Sequence, residues 1–268
     1  MAHTDRRDKI KADEPAIMVF TDLDGTLLDH DTYRFEAARP ALALLAARGI
    51  EVVPVTSKTI AELDPLMQQL GLRGGAICEN GAVLRNAENH LDCSVGIVQI
   101  LNVLDALPQA LRRDIFAFCD MSVAELAQLT GLDETMARYA ANRQASMPFL
   151  WRGVGTTPPG ELIDALRARN LALTQGGRFF HIVPLRDKAG AMLEMLDHLP
   201  VRPQSWALGD GPNDVSMLLA ADYGALVANP HLQTQALLPD MHSLYLTREA
   251  GPHGWREAIE VFLAREFS

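Results

Sequence analysis

Ile17-Met18-Val19-Phe20-Thr21-Asp22-Leu23-Asp24-Gly25-Thr26 is a short apolar run that stops at an Asp-Gly turn. A run without polar alternation reads as a strand buried on both faces, the kind found inside parallel sheets. Gly25 permits a tight turn at its end, so two carboxylates one residue apart can aim at one ligand. The plain alternative at this point is an Asp-Gly turn with two solvated acids.

Outward from this strand the pattern repeats. Arg39 to Arg48 reads as a helix stopped by Gly49, and Ile50 to Val55 as a second buried strand. Thr59 to Leu70 is helical up to Gly71. Ala76-Ile77-Cys78 is a third strand, and Asn80-Gly81 a turn. Alternating strands and helices predict an α/β fold, a doubly wound parallel sheet with right-handed crossovers. The pattern breaks after about Asn86. Ser94–Ile100 reads as a strand, and Asn102–Leu111, Val123–Leu129 and Glu161–Asn170 as helices. Phe149–Arg152 and Gly177–Val183 read as strands. After Pro184 the alternation resumes with helix Lys188–Leu199, strand Ser205–Leu208, helix Asp214–Ala220 and strand Tyr223–Val227. The expected organisation is a core of residues 15–85 and 184–268, with an inserted α+β unit at 86–183 and linkers near Asn86 and Pro184.

Composition bounds the function. The chain has 268 residues, 48% hydrophobic and 22% charged, which is ordinary for a globular protein. Its formal net charge of -10 argues against nucleic acid as a partner, because such binding needs basic surfaces. It leaves a locally positive site for an anion open. The three cysteines, Cys78, Cys93 and Cys119, have neither CxxC nor zinc-finger spacing, so reduced thiols and a cytoplasmic location are expected. No apolar run reaches the ~20 residues that cross a bilayer, and no membrane partner is expected. The polar start up to Pro15 carries no apolar signal core and reads as a frayed leader. Nothing in the sequence speaks to oligomeric state.

Four pieces lie just past expected strand ends, where open α/β sheets form their sites. The first is Asp22-Leu23-Asp24-Gly25-Thr26. The second, Thr56-Ser57-Lys58-Thr59, offers a hydroxyl, backbone amides and an ammonium suited to phosphate oxygens, or else an ordinary helix cap. The third is Lys188 at a helix start, where a cation opposes the helix dipole unless an anion lies between them. The fourth is Gly209-Asp210-Gly211-Pro212-Asn213-Asp214, an acidic loop that a capping role for Asp214 explains only in part. Carboxylates alone would repel phosphate. A divalent cation between them removes the conflict, and oxygen-only ligation suits Mg²⁺. The cation, Lys188 and the amides at 56–58 would then neutralise a phosphoryl group.

These four pieces, in this order, resemble the haloacid dehalogenase-like hydrolase superfamily. Ile77-Cys78-Glu79-Asn80-Gly81-Ala82 and the size of the insert resemble its Cof-like branch. The resemblance implies a Rossmann-like core with a cap that selects substrate. It also implies that Asp22 is the nucleophile and that Asp24 is the acid and base, as an Asp at that place accompanies phosphatases and mutases in the superfamily. Thr56, helped by Ser57, would hold a phosphoryl oxygen, and Lys188 would pair with Asp22 and the phosphate. Mg²⁺ would rest on Asp22, the Asp24 carbonyl and Asp210, with Asp214 behind them and Asn213 contributing. Leu23 joins the expected substrate contacts.

A narrower resemblance is to the mannosyl-3-phosphoglycerate phosphatase family. It rests on Leu27-Leu28-Asp29-His30-Asp31-Thr32-Tyr33, Thr56-Ser57-Lys58-Thr59, Glu79-Asn80-Gly81-Ala82, Gly176-Gly177-Arg178-Phe179-Phe180-His181 and Gly251-Pro252-His253-Gly254-Trp255-Arg256. It implies a phosphorylated sugar-glycerate substrate. Arg178 then reads as the carboxylate fork, with His181 and Lys58 in second place. Arg178 reads equally as an exposed strand-edge charge, His181 as a packed core residue, and Trp151 as a sugar platform or as core. Glucosyl-3-phosphoglycerate, general sugar-phosphatase activity and a phosphomutase stay open. A non-enzymatic phospho-receiver is the reading from another class.

Overall fold

A computed structural model describes residues 16–176, 178–231 and 243–267. The leader expected up to Pro15 lies outside the described residues. In chain order the elements are β1 (Ile17–Thr21), α1 (Arg39–Ala47), β2 (Glu51–Pro54), α2 (Ile60–Leu70), β3 (Ala76–Cys78), β4 (Val83–Arg85) and β5 (Leu91–Cys93). Then come α3 (Ile97–Asp105), α4 (Gln109–Arg112), β6 (Ile115–Ala117), α5 (Val123–Thr130), α6 (Glu134–Ala141), β7 (Met147–Trp151), α7 (Gly160–Arg167), β8 (Leu171–Gly176) and β9 (Phe179–Pro184). The chain closes with α8 (Lys188–Asp197), β10 (Gln204–Gly209), α9 (Val215–Ala220), β11 (Tyr223–Ala228), β12 (Tyr245–Ala250) and α10 (Gly251–Glu266).

The main sheet has five strands in the order β12-β11-β10-β1-β2, all parallel. Side chains alternate across it, as a pleated strand requires. Ile17 and Val19 of β1, Val52 of β2, and Trp206 and Leu208 of β10 join one apolar cluster with α1, α2 and α10. Met18 and Phe20, Val53, and Ala207 point the other way, into a cluster built on α8 and α9. Helices cover both faces, so the core is doubly wound α/β as the periodicity predicts. A bridge from Val55 to Ile77 carries β3 alongside this sheet, and β3 heads an antiparallel β3-β4-β5 ribbon.

The middle of the chain forms an antiparallel sheet, β6-β7-β9-β8, with its own cluster on α3, α5 and α7. Two expectations are corrected here. Ser94–Ile100 is not a strand: α3 begins at Ile97 after Gly96, and Ile100, Val103 and Leu104 face inward at helical spacing. Its β-branched residues had suggested extension. The helix expected over Asn102–Leu111 is two helices, because Pro108 cannot continue α3 and instead starts α4. Asn86, expected in a linker, sits in the β4–β5 turn and donates its N–H to the His90 carbonyl at 3.1 Å. The buried part of the cluster on α3, α5 and α7 begins only at Ile100.

Candidate active site

The site grows from three neighbouring strand ends. The Val55 N–H donates to the Thr21 carbonyl at 2.7 Å, and the Asp22 N–H donates to the Leu208 carbonyl at 2.8 Å. Asp22, Thr56 and the Gly209-Asp210 turn therefore emerge side by side. Beyond Asp22 the chain doubles back: Thr26 and Leu28 donate to the Leu23 carbonyl at 3.1 and 2.8 Å. Gly25 makes this return possible. Its φ is +85°, and a Cβ there would stand 2.5 Å from Asp210 Oδ2. The Leu23 side chain is fully buried in the core, so what it offers the site is backbone.

The carboxylates of Asp22, Asp210 and Asp214 lie within 4.8 Å of one another. Lys188, the first residue of α8, is buried among them. Its Nζ is 2.6 Å from Asp22 Oδ1 and 2.6 Å from Asp214 Oδ1. Asp187 caps α8 by accepting the Gly190 N–H at 2.8 Å, which leaves Lys188 free to turn inward. The second Asp214 oxygen accepts the amides of Asp210 and Gly211 at 3.1 and 2.9 Å, so both its oxygens are engaged.

Charge is not balanced here. Burial pushes the Asp22 carboxyl well above the usual carboxylate range; Lys188 opposes this, and Asp214 and Asp210 add to it. Burial raises Asp210 to about 6, with repulsion from Asp214 adding to the shift. Lys188 is raised although burial works against it, because Asp214 and Asp22 hold its proton. Three acids facing one ammonium, all donors oxygen, are what a hard divalent cation such as Mg²⁺ fits.

Asp24 faces a different partner. Its Oδ2 is 2.6 Å from Lys58 Nζ, while its Oδ1 is buried with no partner among the described residues. Lys58 is raised in spite of burial, chiefly by the Asp24 charge. The ring of Tyr33 lies 5.3 Å from the same ammonium. Thr56 is buried between neighbours: its N–H donates to the Ile77 carbonyl at 2.9 Å, and its hydroxyl accepts the Lys58 N–H at 3.2 Å. The Ser57 carbonyl accepts from Arg143 at 2.8 Å. Asn213 is exposed at the rim, with its amide 3.5 Å from Asn80 Oδ1.

The candidates of the inserted unit stay within that unit's own contacts. Arg178 is exposed, donates to the Leu129 carbonyl at 2.7 Å and lies 5.9 Å from the Phe179 ring centre. His181 is buried on β9, with Nδ1 unpartnered among the described residues. Burial lowers it to about 3, helped by the charge of Arg143, so the ring is neutral. Trp151 packs half-buried against the cluster on α3, α5 and α7.

Sequence reasoning missed two residues that hold Asp210. Thr26 donates to its Oδ1 at 2.9 Å and Asn229 to its Oδ2 at 2.6 Å. Asn229 follows β11, so the strand-end rule that found the other pieces reaches it as well. In the sequence Glu79 stands only as part of the Ile77–Ala82 stretch. It is fully buried and accepts the Gln144 amide at 2.8 Å, the Ala145 amide at 3.1 Å and the Ser146 hydroxyl at 2.6 Å. With Arg143 on Ser57 and Thr59 donating to the Tyr139 carbonyl at 2.8 Å, it fastens the inserted unit beside the site.

Residues 19–118 match the model of a family described as haloacid dehalogenase-like hydrolase. Among solved structures, a sucrose-phosphatase from Synechocystis sp. PCC6803, in complex with sucrose and phosphate, is similar at a TM-score of 0.67 and 16% identity, over 94% of this chain and 98% of that one. A subclass IIB sugar phosphatase of the HAD superfamily gives 0.66 and 19%, over 92% and 99%. A haloacid dehalogenase-like hydrolase from Bacteroides thetaiotaomicron gives 0.64 and 20%, over 92% and 100%. The chain thus resembles the haloacid dehalogenase-like hydrolases in sequence over residues 19–118 and in fold over nearly its whole length.

Proposed function

We propose that the chain is a phosphate-monoester hydrolase dependent on Mg²⁺, with Asp22 as nucleophile. The observation that carries this reading is the buried Asp22–Lys188–Asp214 arrangement with Asp210 beside it, a cluster of three carboxyl groups around one ammonium. Asp22, Asp210 and the Asp24 carbonyl would hold the metal. Asp214, with both oxygens engaged, stands behind these ligands. A bound ion would supply positive charge for phosphoryl oxygens and would let the Asp22 carboxylate stay ionised.

An Asp22 oxygen attacks phosphorus and the bond to the leaving oxygen breaks. Asp24 gives that oxygen a proton, so the alcohol departs and an aspartyl-phosphate remains. Asp24 then takes a proton from water as it attacks phosphorus, which frees phosphate and restores Asp22. Lys188 fixes the rotamer of Asp22 and carries charge toward the phosphoryl oxygens. The Thr56 hydroxyl and the Ser57 amide are the remaining phosphate contacts of this reading.

Mannosyl-3-phosphoglycerate is the substrate we infer, on the narrower motif set. Its carboxylate calls for a cation near the leaving group, and Lys58 beside Asp24 meets that need. Arg178 supports it less well, because its contacts among the described residues are the Leu129 carbonyl and the Phe179 ring rather than the strand-end residues. That placement favours a second reading, a general sugar phosphatase, in keeping with the sugar phosphatases that share the fold.

Phosphate release from mannosyl- and glucosyl-3-phosphoglycerate and a panel of sugar phosphates, with and without Mg²⁺, separates the readings. Preference for the first compound supports the narrow one, and equal turnover of the panel replaces it with the general one. Product phosphorylated elsewhere, without free phosphate, would indicate a mutase. Asp24→Asn should abolish turnover while calorimetric Mg²⁺ binding persists. Unchanged phosphate turnover in that variant would point to a phospho-receiver instead.

A further inference from the structure

Apart from the carboxylate cluster, one other group of metal-ligating side chains comes together among the described residues: His30, Asp31 and His231. The first two lie in the turn beyond Leu28 and the third lies just past β11, so two chain segments distant in sequence supply them. The His30 and His231 rings stack with centroids 4.5 Å apart and planes inclined by 30°. His231 Nε2 is 3.8 Å from Asp31 Oδ2. One donor atom from each of the three residues lies within 4.8 Å of the others.

Both backbones that carry these side chains are held in place. Asp29 Oδ1 accepts the Thr32 N–H at 2.9 Å and the Thr32 hydroxyl at 2.6 Å, and the Tyr33 N–H donates to the Asp29 carbonyl at 3.0 Å. On the other side, the His231 N–H donates to Asn229 Oδ1 at 2.8 Å, and the amide of that same Asn229 donates to Asp210. All three side chains are exposed, so small rotations can close the donors to the ~2 Å at which imidazole and carboxylate hold zinc.

A surface ion pair accounts for His231 and Asp31. It gives the second imidazole no part, although the His30 ring lies stacked on His231 and brings a third donor atom to the same place. Two imidazoles and one carboxylate are donors of intermediate softness. They suit late first-row divalent ions and leave positions for water. The carboxylate cluster, oxygen-only and buried, is a harder site. We infer that His30, Asp31 and His231 form a second metal site for a late first-row divalent cation such as Zn²⁺. An ion there ties the segment after β1 to the segment after β11, the same segment that fixes Asp210 through Asn229.

Calorimetric titration of Zn²⁺ into the untagged full chain, kept in a large excess of Mg²⁺, tests this. The expected result is one zinc-binding event, weakened by Asp31→Asn and lost in the His30→Ala/His231→Ala double variant. Far-ultraviolet circular dichroism checks that both variants are folded, and Asp31→Asn alone decides if the double variant is not. No zinc event in the wild-type chain, or an event of unchanged affinity in the folded variants, would overturn the inference.

Discussion

Lys188 is the residue on which the centre depends most. Its ammonium is the only cation within hydrogen-bonding distance of Asp22 and Asp214 among the described residues. Lys188→Ala leaves two buried carboxylates facing each other unpaired, and breaking such a pair costs about 3–5 kcal/mol. Urea denaturation should register that loss, and saturating Mg²⁺ should recover part of it. His181 gives a prediction in pH. Burial holds the folded ring at about 3 against an ordinary value of 6.5, so between those limits the unfolded chain binds the extra proton. Stability therefore falls as pH drops from 6.5 toward 3, by about 1.4 kcal/mol per pH unit for this one group. His181→Asn should flatten the slope of unfolding free energy against pH by that amount between pH 6 and 4. The core residues of the site were legible because each follows a strand, and strand ends can be read from apolar runs. Arg178 and His181 were less legible, since what they face depends on how the inserted unit packs.

At the scale of elements, Glu79 shows how local strain and packing cooperate. Glu79 and Asn80 have φ of 52° and 60°, followed by Gly81 at 98°. Gly81 lies against the start of α8, where an added Cβ would come within 2.3 Å of the Asp187 carbonyl oxygen. This tight turn aims the Glu79 carboxylate at three donors in residues 144–146. Glu79→Ala strands those buried donors, at roughly 1–3 kcal/mol for each left unsatisfied. Hydrogen exchange should quicken at the Gln144 and Ala145 amides well before it does in β1. The failures of sequence reading also belong to this scale. Around the start of α3, Val95, Ile97 and Val98 carry strand propensity, yet burial of Ile100, Val103 and Leu104 on one side of a helix prevails. The ribbon β4–β5 escaped notice because its strands are only three residues each, too short for alternation to register.

For the molecule as a whole, the doubly wound core was legible because β1, β2, β10 and β11 are largely apolar runs with helices between them; β12, which carries Thr247, Arg248 and Glu249, gives no such signal. The Gly251–Arg256 stretch marks the start of the last helix but not its packing, in which α10 covers one face of the sheet together with α1 and α2. Trp255, Ala258, Ile259 and Phe262 of α10 share a cluster with Ile17 and Val19 of β1, and Trp255 Nε1 donates to Thr21 Oγ1 at 2.9 Å. Trp255→Phe should cost about 1 kcal/mol through that bond, read in urea denaturation. Removing residues 251–267 should prevent folding, read as loss of the cooperative transition. The pairing of Asp22 with Lys188 across 166 residues has a consequence for how the protein is made. During synthesis the acid leaves the ribosome long before its counter-charge, and a complete inserted unit must emerge in between. Contacts so far apart in the chain form slowly. Any nascent or prematurely ended chain that stops short of Lys188 therefore carries Asp22 as an ordinary solvated carboxylate, and the centre comes into being only after Lys188, Asp210 and Asp214 have followed it out.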